Sequence, residues 1–118
     1  MQLNFIDFYG GALGVGQQRA SLVANNIANA DTPGYKARDV DFTAALMATL
    51  DGTQAAGTSA TPLYRAASTV ALDGNDVSLD GERIESAQNA QKMMGAATFL
   101  RQSTTNLIGA LRPNPGGL

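Results

Sequence analysis

Apolar residues near the start of the chain recur at a helical coiled-coil spacing. Ile6, Leu13, Ala20 and Ile27 repeat every seven positions, and Tyr9, Gly16, Val23 and Ala30 fall three later. Alternating steps of three and four predict an α-helix from about Leu3 to Ala30 whose apolar stripe meets a partner helix. The stripe is thin, because Ala20, Ala30 and Gly16 occupy seam positions. Gly10, Gly11, Gly14 and Gly16 each cost up to ~1 kcal/mol relative to alanine in a helix, so its first half is marginal alone.

A second stripe occupies the other end. Ala90, Met93, Ala97, Leu100, Thr104, Leu107 and Leu111 predict a helix from about Gly81 to Leu111. Asp80 is the expected N-cap, with Glu82 and Glu85 near the positive helix end. Arg112-Pro113 stops the helix, and a loose tail follows. Gly81 in the first turn is out of place for a helix former. Between these helices, residues 43–50 read as a short helix closed by Asp51-Gly52. Residues 51–62 carry Gly, Ala, Ser and Thr without large apolar side chains and read as a mobile loop. Leu63 to Leu72 alternates only imperfectly and supports one short strand or extended arm. No internal repeat is present.

The predicted fold is mostly α: terminal helices in an antiparallel coiled-coil hairpin around a small, partly extended or flexible middle. The corresponding divisions are 1–35, 36–80, 81–112 and 113–118. Few large apolar side chains line the two stripes, so the helices need neighbouring chains to complete their burial.

Where the first stripe ends, the polar pattern changes. Asn25, Asn26 and Asn29 flank Ile27, although asparagine is a mediocre helix former. Carboxamides beside an apolar seam suit a helix that meets a partner in one register. Thr32-Pro33-Gly34-Tyr35 follows. Proline fixes φ at the first central position of a turn, and glycine supplies the positive φ of type II.

Composition narrows the function. The chain has 118 residues, no His, Cys or Trp, 15% charged residues and a net charge of −2. One domain is the natural size limit. Without His and Cys, the commonest general base, metal ligand and strong nucleophile are all missing, which argues against an enzyme. The charge offers no footprint for nucleic acid, and no apolar run is long enough for a membrane span. No Lys or Arg precedes Arg19, so a cleavable secretory signal is not expected.

Isolated motifs fare poorly as chemistry. Gly10 to Gly16 fits neither dinucleotide nor P-loop spacing, and close helix packing accounts for it better. Asp39 and Asp41 could pair as acid and base, yet a solvated turn or ion pairs with Lys36 and Arg38 explain them. Asp73-Gly74-Asn75-Asp76 lacks calcium-loop spacing and reads as a turn into the last helix. Met93 belongs to the seam and Met94 to its flank. Phe5, Phe8 and Tyr9 suit an interface staple better than a membrane patch, since no basic residue accompanies them. No cofactor, metal or small-molecule substrate is expected.

The segment Ala24 to Lys36 resembles the N-terminal motif of the bacterial flagellar axial proteins, which build rod, hook and filament. Lys36-Ala37-Arg38-Asp39-Val40-Asp41-Phe42 and Asp73-Gly74-Asn75-Asp76-Val77-Ser78-Leu79-Asp80 narrow the resemblance to the proximal rod. It covers roughly residues 10–42 and 73–111. It implies a structural subunit that joins the inner-membrane ring and export gate to the rest of the rod, packs around a central export channel, and carries torque. The implied partners are other rod subunits, the ring–rod junction protein, the inner-membrane ring and the type III export gate. The implied location is the periplasmic rod, reached without a cleaved signal, with export information in residues 1–10. The Pro113 to Gly117 tail departs from the family's helical terminus. Alternatives are a neighbouring rod subunit, or a soluble helical adaptor or export substrate that is not built into the rod.

Overall fold

The computed structural model describes residues 4–52, 61–65 and 70–112. Two long helices, α1 (Asn4–Ala28) and α3 (Leu79–Leu111), dominate it. Between them lie a two-residue strand β1 (Arg38–Asp39), a short helix α2 (Phe42–Leu50) and a second strand β2 (Leu63–Tyr64). α3 has 33 residues. At ~1.5 Å per residue that is about 50 Å, which explains the chain's extended shape. Its principal extents are 73 × 28 × 18 Å.

α1 meets α3 through a series of specific pairs. Asn26 touches Glu82, Arg19 touches Glu85, and Gly16 touches Asn89 and Met93. Farther along, the Tyr9 and Phe99 rings sit with centroids 4.7 Å apart. The partners advance along α3 as they retreat along α1. Another face of α1 covers the middle segment, where Val15, Val40 and Ala45 form a small core with Leu22 and Phe42 against it. Gly11 faces Leu46 so closely that an added Cβ would lie 3.2 Å from its side chain.

Local capping explains the boundaries. α3 starts before the expected Gly81, because Ser78 rather than Asp80 is the N-cap and its hydroxyl accepts from the Gly81 N–H at 3.2 Å. A Cβ at Gly81 would press within 3.3 Å of that hydroxyl, so the glycine has a structural reason. Asp80 instead lies in the first turn, where the helix dipole favours its charge. Asp41, expected in a solvated turn, caps α2 by accepting from the Ala44 N–H at 3.0 Å. Gly52 follows that helix with φ of 78°, a conformation costly for other residues.

The strands are short. β1 pairs antiparallel with β2 through Arg38 opposite Tyr64 and Asp39 opposite Leu63. Most of the expected mobile loop, residues 53–60, lies outside the described residues, as do 66–69 of the expected extended arm. The same holds for residues 1–3 and for the expected tail, 113–118.

Candidate functional site

The end of α1 and the start of α3 are joined by a polar clasp built from the two most distinctive motifs of the sequence. Beyond Ala28 the backbone turns, and the Tyr35 N–H bonds the Thr32 carbonyl at 3.2 Å across Pro33-Gly34. Gly34 has φ of 74°, which a β-branched residue would resist. The Asp73–Asp76 loop closes over this turn. Gly34 N–H donates to the Asp73 carbonyl at 2.8 Å, and Asp76 N–H donates to the Tyr35 carbonyl at 3.1 Å. An added Cβ on Gly74 would meet Gly34 Cα at 3.4 Å, so two glycines form the contact point.

Asparagines tie the clasp together. Asn75 is 4% exposed. Its Nδ2 donates to the Asn29 and Thr32 carbonyls at 2.8 and 2.7 Å, and its Oδ1 accepts from the Val77 N–H. Asn26 is fully buried. Its Nδ2 donates to the Arg38 carbonyl at 2.8 Å and to Glu82 Oε2 at 3.2 Å. Its Oδ1 accepts from the Arg38 N–H at 3.0 Å and the Tyr35 hydroxyl at 3.1 Å. Two donors and two acceptor sites exhaust a carboxamide. All four of its hydrogen-bonding sites are thus filled within its own chain, one of them by Glu82 of the partner helix α3.

An ion cluster adjoins Asn26. Arg19 donates to Asp39 through Nε at 2.9 Å and Nη2 at 3.2 Å, and also pairs with Glu85. Arg65 donates to Asp39 at 2.8 Å and pairs with Glu82, whose side chain is nearly buried. Asp39 thus joins two guanidiniums, and the cluster links α1, β1, the residue after β2, and α3. Ion pairs with Lys36 and Arg38, expected for Asp39, do not form. Lys36 bonds the Gly74 carbonyl, and Arg38 lies 5.4 Å from the centroid of the Tyr64 ring. Burial pushes the Asp39 carboxyl up, but hydrogen bonds from Arg19, Arg65 and the Val40 N–H outweigh it and hold its pKa below the usual carboxylate value. The Arg19 guanidinium is held above its ordinary value, chiefly by its hydrogen bond to Asp39 and despite burial.

The remaining expected residues separate into two groups. Val23 is buried, and Ile6, Leu13, Met93, Leu100 and Leu107 are half-buried. Ala20, Ile27 and Leu111 are exposed, as is Asn25. Asn29 stays local, donating to the Asn25 carbonyl at 2.8 Å and accepting from the Thr32 hydroxyl at 3.0 Å. Within the chain, the α1 face against α3 carries Tyr9, Gly16, Arg19 and Asn26, and the α3 face carries Glu82, Glu85, Asn89, Met93 and Phe99, while Ala90 and Ala97 are exposed. Sequence reasoning did not identify Arg19, Arg65, Asn75, Glu82 or Asn89 as a set. An apolar-periodicity search passes over polar residues on a buried face.

A different character marks the outward surfaces. Phe8, Met47, Leu63, Ile84, Met94, Phe99 and Ile108 all expose large apolar side chains. Such surface identifies an interaction face when it is extensive. Among the described residues, no helix is long and apolar enough to cross a membrane.

Comparison with known proteins finds relatives of one kind. The family described as flagella basal body rod protein matches residues 6–36, the span of α1 and the turn. The flagellar basal body rod protein FlgB of Proteus mirabilis (strain HI4320) is 34% identical, over 92% of this chain and 94% of its own length. FlgB of Salmonella typhimurium (strain LT2) is 36% identical, over 86% of this chain and 88% of its own. FlgB of Escherichia coli (strain K12) is 34% identical over the same shares.

Proposed function

Because the chain belongs to the FlgB family of flagellar basal body rod proteins and is a structural, non-enzymatic rod subunit, we propose how it is built in. The α1–α3 pair is an antiparallel coiled-coil hairpin, and hairpins of successive subunits pack side by side around the export channel. The outward apolar side chains, Ile84, Met94 and Ile108 on α3 and Phe8 and Ile27 on α1, become buried against these neighbours. Asn25, Ala20 and Leu111, exposed in the single chain, join the same contacts. The clasp holds the middle segment at a fixed angle to the hairpin, so Thr32 to Tyr35 redirects the chain outward.

In this reading the subunit connects the inner-membrane ring and export gate to the rest of the periplasmic rod. Its partners are other rod subunits and the ring–rod junction protein, and torque passes through many parallel contacts. Export occurs without a cleaved signal, with residues 1–10 carrying the recognition element. One observation carries the assembly reading: a polar clasp whose groups are partnered internally coexists with helices that leave large apolar side chains outside. Burial of such side chains is worth ~1.5–3 kcal/mol each, a strong drive towards association.

Deleting the chain from its native cell tests this. Basal bodies should then retain the inner-membrane ring and lack the rod, and swimming should return when the chain is supplied. Intact rods without it would transfer the assignment to a soluble adaptor.

A further inference from the structure

Asn89 lies in the α1–α3 contact, 2% exposed, one helical turn beyond Glu85 of the ion cluster. Its Nδ2 donates to the Gly16 carbonyl at 2.9 Å and approaches Met93 Sδ at 3.6 Å. Its Oδ1 is buried and has no hydrogen-bond partner among the described residues. A buried acceptor left unpaired is destabilising, and the Gly16 carbonyl, inside α1, already takes part in the helical ladder. Stability therefore gives no account of an amide here.

Gly16 supplies the matching half. A Cβ at that position would lie 2.7 Å from Met93 Cγ, closer than nonbonded carbons tolerate. One turn away along α1 stand Ala12 and Leu13 on one side and Arg19 and Ala20 on the other, all bearing a Cβ. Sliding α3 by a turn would drive Met93 into one of them and take Asn89 away from the Gly16 carbonyl. We infer that Asn89, with Met93 seated on Gly16, fixes the register of the two terminal helices and so the alignment of the outward faces that subunits share. A single buried asparagine on a helix seam acts in this way, lowering stability while selecting one alignment. The inference rests on the hairpin reading proposed above.

The chain has no cysteine, so paired labels can be placed cleanly. Gln17→Cys and Gln91→Cys sit at exposed positions of α1 and α3 and accept spin labels. The full-length labelled chain should give one narrow distance distribution. With the clasp still holding the start of α3, adding Asn89→Leu should raise the melting temperature, broaden the distance distribution and reduce swimming at native expression. Gly16→Ala keeps the amide but fills the hole, and should displace the distance. A single unchanged distance in both variants, with Asn89→Leu melting lower, would overturn the lock and leave the hairpin standing. No defined distance in the parent labelled chain would overturn the hairpin itself, and the register lock with it.

Discussion

The clasp end of the molecule and the far end of its long helices solve opposite problems. Around Asn26, the chain buries amides, carboxylates and guanidiniums and supplies their partners from β1, the Asp73–Asp76 loop and α3. Toward Phe99 and Ile108, it leaves aromatic and aliphatic groups at the surface. Polar groups satisfied at home give a fixed shape without dependence on a neighbour. Apolar groups left outside make a neighbour favourable. A rod subunit needs both, one to set geometry and the other to bind.

Substitutions at the two ends should separate stability from assembly. The largest loss belongs to Asn26→Leu, which leaves Arg38 backbone groups, the Tyr35 hydroxyl and Glu82 without their amide partner. A cost of about 3 kcal/mol is expected from the unpaired buried groups, read as a lower denaturation midpoint of the isolated chain and as failed rod assembly. An unchanged midpoint would place the clasp outside the chain's stability. Gly34→Val comes next. No atom of the described residues obstructs a Cβ there, so its cost is backbone strain at φ of 74°, about 2 kcal/mol. Circular dichroism melting measures it, and a cost equal to that of Gly10→Ala would contradict the turn's role.

Acid should also act on the clasp. Asp39 has a folded pKa below its ordinary value of 3.8. Its contribution is thus fully present above the unfolded value and is lost as pH falls through the folded one. Stability should decline on acidification below about pH 4, and Asp39→Asn should lower the neutral-pH midpoint while shallowing that acid limb. An acid limb identical in the variant would assign it to other carboxylates. The smallest effect on the isolated chain is expected for Ile108→Ser, within about 0.5 kcal/mol, although swimming should be strongly impaired. A large loss of monomer stability would instead make Ile108 part of an internal core.

Much of this contrast could be read from residue order. The long helices show in their apolar spacing, and Thr32-Pro33-Gly34-Tyr35 shows as a turn because proline and glycine restrict the backbone locally. Asp51-Gly52 is legible for the same reason. The clasp and ion cluster are not, because their members are polar and far apart: Arg65 and Asp39 come together only once β1 and β2 pair. Glu82 looks like a surface residue placed for the helix dipole until Arg65 and Asn26 cover it. Ser78 and Asp80 are both good caps, but the Ser78 hydroxyl takes the Gly81 N–H three residues on and so leaves Asp80 inside the first turn. Asn89 is hidden by the same bias, since the apolar stripe shifts one position to Ala90.

A cryo-electron map of purified basal bodies tests the central claim most directly. The account predicts helical density for α1 and α3 at the base of the rod, with Phe8, Met94 and Ile108 buried against neighbouring subunits and the Asn26–Tyr35–Asn75 clasp intact within each chain. A map in which those apolar side chains face solvent while Asn26 reaches across to another subunit would contradict it.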